Sequence, residues 1–438
     1  MNLLYQWKDT SLTQSIIGST YNEVWGYSNN GREYAIIGST AGTHIFDITD
    51  INNVDTVEFI PGKLQGSDII HRDFDTYQDY LYIVCDEGPS SLQIADLSFL
   101  PDSVPLVYDY DILINTSHNI FIDTVSGHLY SCGGATNLGA NFLSIYSLVA
   151  DPTNPQFIIN CSNDVPFWNT TIGYLHDIYV KNDTAYCHAG TNGFFVVDFT
   201  DMQNVQGLGS LTSYVQQGYN HSGWLHRSGN FYAFADETAG MDVKIIDVTD
   251  FSNLLLIDTI GSNQNQNLSK PHNVIFYGDL LFVSFYEDGL YVFDSSDPYN
   301  ISILGYYDTT TLPYVFAAGN WGVYPFLPSG KILASDEQEG LLVFDTSFPV
   351  NVQSNISSNK LEFMLYPNPT KNELNIITTK FDNFKKYTIT DIYGRTVKKG
   401  EIVSSQTKID IDGLNIGIYI FSIYKKGSEK ITNKFVKN

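Results

Sequence analysis

The chain has 438 residues, with 30 Tyr, 27 Phe and 34 Gly, a composition that favours strands over long helices. Its net charge of −25 argues against nucleic acid or anionic lipid as a partner. No run of 18 apolar residues is present, which excludes a membrane-spanning helix read from the sequence.

The charge is uneven. Residues 360–438 carry 14 Lys/Arg against 8 Asp/Glu, a net of +6, whereas the first 359 carry 9 against 40, a net of −31. The change of sign places a domain boundary near residue 360. The four cysteines, Cys85, Cys132, Cys161 and Cys187, form no CxxC pair, and all but Cys161 sit in apolar strand-like runs. They read as buried free thiols. Residues 1–20 lack the basic-then-apolar layout of a signal peptide, so Met1 before NLLYQW is expected to be a restarted mature end.

In chain order, one pattern recurs. Its clearest copy is KPHNVIFYGDLLFVSFYEDGLYVFDSSD at 270–297: a polar knot at His272-Asn273, then three short apolar runs split by Gly/Asp turns and closed by Asp294. Such runs read as antiparallel strands. The closing aspartate recurs at Asp47, Asp96, Asp198, Asp247, Asp294 and Asp345, spaced by 49, 102, 49, 47 and 51. The interval of 102 holds a copy without the aspartate, with its third strand near Leu143–Leu148. Seven units of this period predict a β-propeller. A fourth strand follows each unit, as in VDTVEFI (54–60) and ISILGYYD (301–308), except the last. The opening NLLYQWKDTSL resembles ILGYYDTTTL (303–312), so residues 3–10 are expected to supply the missing strand. That removes two open sheet edges. The expected fold is all-β: a seven-bladed propeller over 1–347 closed by the N-terminal strand, a Ser/Asn-rich linker over 348–363, and a small β-sandwich over 364–438.

The final segment carries Tyr366-Pro367-Asn368-Pro369, Asp391-Ile392-Tyr393-Gly394-Arg395, Leu414 with Gly417-Ile418-Tyr419, and the basic end Lys434-Phe435-Val436-Lys437. In that order these motifs resemble the type A C-terminal sorting domain of the type IX secretion system of Bacteroidetes. The resemblance implies handling by that machinery, export across the outer membrane, and a domain removed as the protein is released or attached to the surface.

The repeat region carries Val24-Trp25-Gly26-Tyr27, His71-Arg72-Asp73-Phe74, Leu175-His176-Asp177, His221-Ser222-Gly223-Trp224-Leu225, Pro271-His272-Asn273 and Asn320-Trp321-Gly322-Val323-Tyr324-Pro325. It resembles the choice-of-anchor B family, whose repeats are related to the LVIVD repeat. This implies a propeller and a surface location and names no reaction.

Aligned on the first strand of each unit, His118, His176, His221 and His272 occupy matching positions in four consecutive units. In unit two the match reads as Arg72-Asp73, which leaves His71 one residue out of register and turned to the other face. Units one and seven offer Glu23 and Asn320. The second strands end in acidic turns, Asp86-Glu87, Asp236-Glu237, Tyr286-Glu287 and Asp336-Glu337, which belong on the same face as the histidines.

Two readings of this constellation stand side by side. Imidazoles and carboxylates converging at a channel mouth suit a divalent or transition metal, with His118, His176, His221, His272, Glu237 and Glu287 as candidate ligands. Equally, a polar residue opening each inner strand can bond the neighbouring blade and knit the ring. Arg72, Asp73, Asp177, Glu87, Asp236, Glu337, Trp224 and Trp321 are further candidates for a ligand face, and Trp25, Trp168, Trp224 and Trp321 for an aromatic platform. The DxTD closers read as turn caps. No GxSxG, P-loop, HExxH or Rossmann fingerprint is present. The functional expectation is an exported binding or adhesion module with an unidentified extracellular ligand, and the alternative is a metal-dependent enzyme or metal-binding protein.

Overall fold

A computed structural model describes residues 1–136, 139–264, 267–314, 318–345, 363–366, 370–378, 384–391, 395–402, 404, 406–425 and 430–437. The chain divides into two compact units, Met1–Pro349 and Val350–Asn438. Of the expected linker, residues 348–362 lie outside the described residues, as do Pro367–Pro369 and Ile392–Gly394, and Phe363 already opens a strand.

The first unit is a propeller-like set of seven four-stranded antiparallel sheets. Their first strands are Tyr21–Asn29, Arg72–Tyr77, Asn119–Asp123, Asp177–Lys181, Asn220–Leu225, Val274–Tyr277 and Asn320–Tyr324, here numbered sheets one to seven. From sheet one to sheet six each first strand packs against that of the next sheet, the first strand of sheet seven packs against Leu280–Phe285 of sheet six, and the first strands of sheets seven and one pack together. Six sheets take all four strands from consecutive chain. The seventh takes its outer strand from Leu3–Trp7, paired antiparallel with Gly340–Phe344. The backbone N–H of Asn2 donates to Asp345 Oδ1 at 2.9 Å, and Trp7 packs on Tyr21 and Phe46 of sheet one.

Each repeat feature has a local cause. The aspartate closing the third strand accepts from the residue two places on, as in Asp47 from Thr49 N, Asp198 from Thr200 N and Asp247 from Thr249 N, each at 2.8–2.9 Å. These are Asx turns that start the descent to the fourth strand. At the opening of the third strand stands a glycine with positive φ, Gly289 (84°) or Gly340 (83°). A side chain there would strike the outer strand, 2.1 Å from Tyr307 O or 2.2 Å from Trp7 O. Interiors between sheets are filled by aromatic and β-branched residues, for example Tyr34, Ile36, Ile45, Phe74 and Ile83 between sheets one and two. All four cysteines are buried and free, in line with their apolar settings.

Polar ties link the sheets as well. Asp73 Oδ2 accepts from Ile120 N and Asp75 Oδ2 from Ile122 N, both at 2.7 Å, joining sheet two to sheet three. Lys331 Nζ donates to Glu33 Oε2 at 2.9 Å, joining sheet seven to sheet one.

The second unit holds a three-stranded sheet (Phe363–Tyr366, Glu373–Thr378, Gln406–Asp410) and a four-stranded one (Thr396–Glu401, Phe384–Asp391, Gly417–Lys425, Lys430–Lys437). Leu374, Ile376, Ile389, Ile409, Phe421 and Phe435 form one core between them. Arg395 Nη2 lies 2.7 Å from Asp391 Oδ2, so the ends of the Asp391–Arg395 motif clamp each other.

Two outcomes follow from this architecture. Deleting residues 2–8 strips the seventh sheet of its outer strand and exposes Gly340–Phe344 as a bare edge. The melting temperature in calorimetry is expected to fall by more than about 10 °C, the equivalent of at least a few kcal/mol, with concentration-dependent aggregation. An unchanged melting curve contradicts the strand's role. The second concerns Asp75, whose pKa burial pushes up to about 7. A carboxyl raised on folding contributes stability that is full below the unfolded value near 4 and is lost as pH rises through 7. Asp75→Asn removes this dependence. Its stability relative to the native chain should therefore improve by roughly 2 kcal/mol between pH 5 and pH 8, as read by denaturant titration at the two pH values. A pH-independent difference refutes the assignment.

Candidate functional site

The histidines that open the inner strands meet at one end of the axial channel. Ring centroids are 4.4 Å apart for His71–His118, 4.1 Å for His118–His176, 4.2 Å for His176–His221 and 4.2 Å for His221–His272. Trp321 completes the circuit, 4.4 Å from His272 and 5.4 Å from His71. Five imidazoles and one indole, from six sheets, thus form a continuous tier.

Two expectations need correction here. His71 is in register: Arg72 pairs with Cys85 as Asn119 pairs with Cys132, so His71 corresponds to His118. In sheet seven the tier is completed by Trp321 and not by Asn320, because a β-bulge lies between Asn320 and Val323 and the amide of Asn320 turns to Ser335 O at 2.8 Å. The same irregularity recurs between Asn220 and Gly223, and His221 lies within it. The signal available in the sequence was a histidine immediately before the first strand, which His71, His118 and His176 share.

Backbone geometry fixes several tautomers. His176 Nδ1 donates to His221 O at 3.2 Å and His272 Nδ1 to Trp321 O at 2.9 Å, leaving each Nε2 with its lone pair. Burial, reinforced by the other imidazoles, holds His71, His176 and His221 well below the usual histidine range and pushes His272 down to about 3. His118 is the exception. Burial pulls it down, but the Asp86 carboxylate, 2.8 Å from Nδ1, outweighs this and raises it. At neutral pH the tier is a set of neutral imidazoles with one poised to hold a proton.

Carboxylates crowd the same rim. Glu237 Oε2 lies 3.8 Å from His221 Nε2, while Glu237 Oε1 accepts from Tyr286 Oη at 2.7 Å and faces Lys270 Nζ at 3.7 Å. Lys270 in turn sits 3.8 Å above the Tyr286 ring. Glu87 Oε2 accepts from His71 N at 3.2 Å. Glu287 is buried. Glu337 is 0% exposed, and among the described residues neither of its oxygens has a hydrogen-bond partner. Burial, then the charges of Asp336, Glu287 and Glu237, raise it well above the usual carboxyl range.

Below this tier the channel carries a second one of buried carboxyls. Glu23 accepts from Val24 N at 3.0 Å and Asn273 Nδ2 at 2.8 Å, and Asp177 accepts from Ile178 N at 2.6 Å. Burial pushes both up to about 7, and raises Asp73 well above its usual value. A third tier is aromatic: Trp25, Tyr324 and Phe326 form one run of contacts and Phe121, Tyr179 and Trp224 another, joined where Trp224 meets Phe326 at 5.5 Å. A cavity of about 70 Å³ lies between the second and third tiers, lined by inner strands of all seven sheets.

Several expected ligand-face residues are therefore elsewhere. Arg72 is buried, with Nε on Ser39 O at 2.9 Å and Nη2 on Leu64 O at 2.6 Å, and it ties sheet two to sheet one. Asp236 alternates away from Glu237 into the sheet interior, where it meets Lys244 Nζ at 2.8 Å. Asp73 and Asp177 belong to the carboxyl tier and Trp224 to the aromatic one. Trp168 is fully buried, its indole donating to Gly173 O at 3.0 Å, so the four tryptophans make no single platform. Nor do His118, His176, His221 and His272 gather their nitrogens at one point: successive rings follow one another around the channel tilted by 57°, 47° and 45°. Among the described residues the donor atoms that converge belong to His176, His221 and Glu237, all within 4.8 Å of one another.

Comparison with known proteins bears on the whole chain and on its end. Two solved structures of the extracellular domain of BT4673 from B. thetaiotaomicron are similar in fold. One has a TM-score of 0.51 at 13% identity, covering 96% of this chain and 57% of that one. The other has 0.51 at 14%, covering 99% and 59%. The chain thus spans under two thirds of their length. No curated protein matches it. No helix among the described residues is long and apolar enough to cross a membrane, which says nothing of a β-barrel. Residues 364–438 match the secretion system C-terminal sorting domain. They are a type IX C-terminal sorting domain, and the chain is exported across the outer membrane to the cell surface or the extracellular space.

Proposed function

We propose that residues 1–347 form a closed seven-bladed propeller of the LVIVD-repeat kind, related to the choice-of-anchor B family. It acts outside the cell as a binding or adhesion module through the histidine-bearing mouth of its channel. Residues 348–363 link it to the sorting domain at 364–438, which the type IX machinery handles. The observation that carries this reading is the six-ring tier, built from six different sheets and bordered by Glu237, Glu287, Glu337 and Lys270. A rim that gathers donors, carboxylates and aromatic faces from every side is suited to holding a ligand at several points. The sorting domain supports an extracellular setting for that ligand.

The test uses the full chain, purified without a histidine tag, against arrays of polysaccharides and peptides, with hits quantified by biolayer interferometry. Tyr219, whose ring packs edge-on to His176 at 5.2 Å, and Lys270 stand at the rim. Tyr219→Ala and Lys270→Ala should each weaken binding about tenfold or more, as expected for interface anchors. Lys8→Ala, which removes an exposed ion pair to Glu339 at the outer edge, should leave it unchanged. Binding indifferent to both rim changes, or a bound compound that is turned over, overturns the reading.

A further inference from the structure

We propose that the rim is a binding site for a divalent transition-metal ion, held by one imidazole nitrogen each from His176 and His221 and by the Glu237 carboxylate. This rests on the reading of the histidine rim as the ligand face, and gives that face a chemical class of ligand.

The geometry is nearly that of a site. The three donor atoms lie within 4.8 Å of one another. An ion centred in a triangle of that size is at most about 2.8 Å from each donor, so about 0.7 Å of side-chain adjustment reaches the bond lengths of 2.0–2.1 Å usual for zinc. The surroundings favour that adjustment. His176 has its Nδ1 proton committed to His221 O, the outer contact that orients a metal-binding imidazole. Glu237 is oriented through Oε1 by Tyr286 and Lys270, which leaves Oε2 towards His221 Nε2. His118 and His272 pack against His176 and His221 as tilted rings, with centroids 4.1 and 4.2 Å away, and flank the pair on both sides.

A second observation points the same way. Glu337 is completely buried, with neither oxygen hydrogen-bonded among the described residues, in the field of Glu237 and Glu287. A buried carboxyl in such a place costs free energy unless something offsets it. A cation at Glu237 would neutralise the charge around it.

Chemistry narrows the ion. Two neutral imidazoles and one carboxylate suit zinc, cobalt, nickel, copper or iron, and suit calcium and magnesium poorly, since those take oxygen donors. Three protein ligands leave at least one coordination position open towards the mouth. The bound ion would therefore be the contact through which the module grips an exogenous donor such as a carboxylate or an imidazole.

The experiment uses the full chain, without a histidine tag, stripped with a chelator and dialysed. Co²⁺ is then titrated with visible absorption as the readout, and Zn²⁺ by calorimetry. One equivalent per chain is expected. His176→Ala, His221→Ala and Glu237→Gln should each weaken the affinity at least tenfold. His128→Ala removes a histidine bonded to Asp183 away from the rim and should change nothing. Circular dichroism confirms folding. If a histidine variant does not fold, Glu237→Gln decides, since its side chain is partly exposed and shape is conserved. A folded native chain that takes up no stoichiometric metal, or uptake unaffected by Glu237→Gln, overturns the inference. The two proposals fail separately: a stripped chain that still binds its array ligand through Tyr219 and Lys270 removes the metal and keeps the module.

Discussion

The structure depends on one constraint. The inner strands of neighbouring sheets run side by side around the channel without pairing as a ladder, so the polar groups they bring to the axis must be satisfied by side chains of the sheet next door. The bonds run mostly in one direction around the ring. Asn22 of sheet one donates to Ile70 O beside sheet two, and Asp73 of sheet two accepts from Ile120 N of sheet three. His176 beside sheet four reaches His221 O, Ser222 of sheet five reaches His272 O, and His272 reaches Trp321 O of sheet seven. Each such bond contributes about 1 kcal/mol net, and leaving one buried partner unmet costs more. The axis is where the ring of sheets is least able to tolerate a careless substitution.

This constraint also explains why structural and chemical readings of the histidines do not compete. The bond from His176 Nδ1 to His221 O joins two sheets, and in doing so it fixes the proton on one nitrogen and leaves the other as a donor. A residue placed to knit the ring is thereby prepared to bind a ligand. The same holds for Glu237, whose anchoring by Tyr286 and Lys270 both ties the rim and aims a carboxylate oxygen.

Much of the fold is legible in the sequence because its signals are local. The closing aspartates mark the third strands through Asx turns, and the likeness of NLLYQW to ILGYYD anticipates the pairing of Leu3–Trp7 with Gly340–Phe344. The site is less legible because it depends on register. Bulges between Asn220 and Gly223 and between Asn320 and Val323 shift the count by a residue, and in a period-two element one residue decides which face a side chain takes. So Trp321 replaces Asn320 at the rim, and Asp236 turns inward where Glu237 turns out. Arg72 has no signal of its own in the sequence: its partners are the carbonyls of Ser39 and Leu64, 33 and 8 residues away.

Charge decides what such a rim can attract. The first 359 residues carry a net of −31, and Glu237 and Glu287 stand at the histidine rim, so the field there favours cations. Softer donors that would redirect selectivity are withheld. Burial pushes Cys85 up to about 11 and raises Cys132, Cys161 and Cys187 as well, so none is a thiolate near neutral pH. With thiolate excluded, the donors offered at the mouth are imidazole and carboxylate, the pairing that suits borderline divalent ions over copper(I). His176 and His221 are held neutral by burial and by the neighbouring imidazoles. Burial at the axis, which raises the carboxyls of Glu23 and Asp177, also holds His176 and His221 above them in the neutral form.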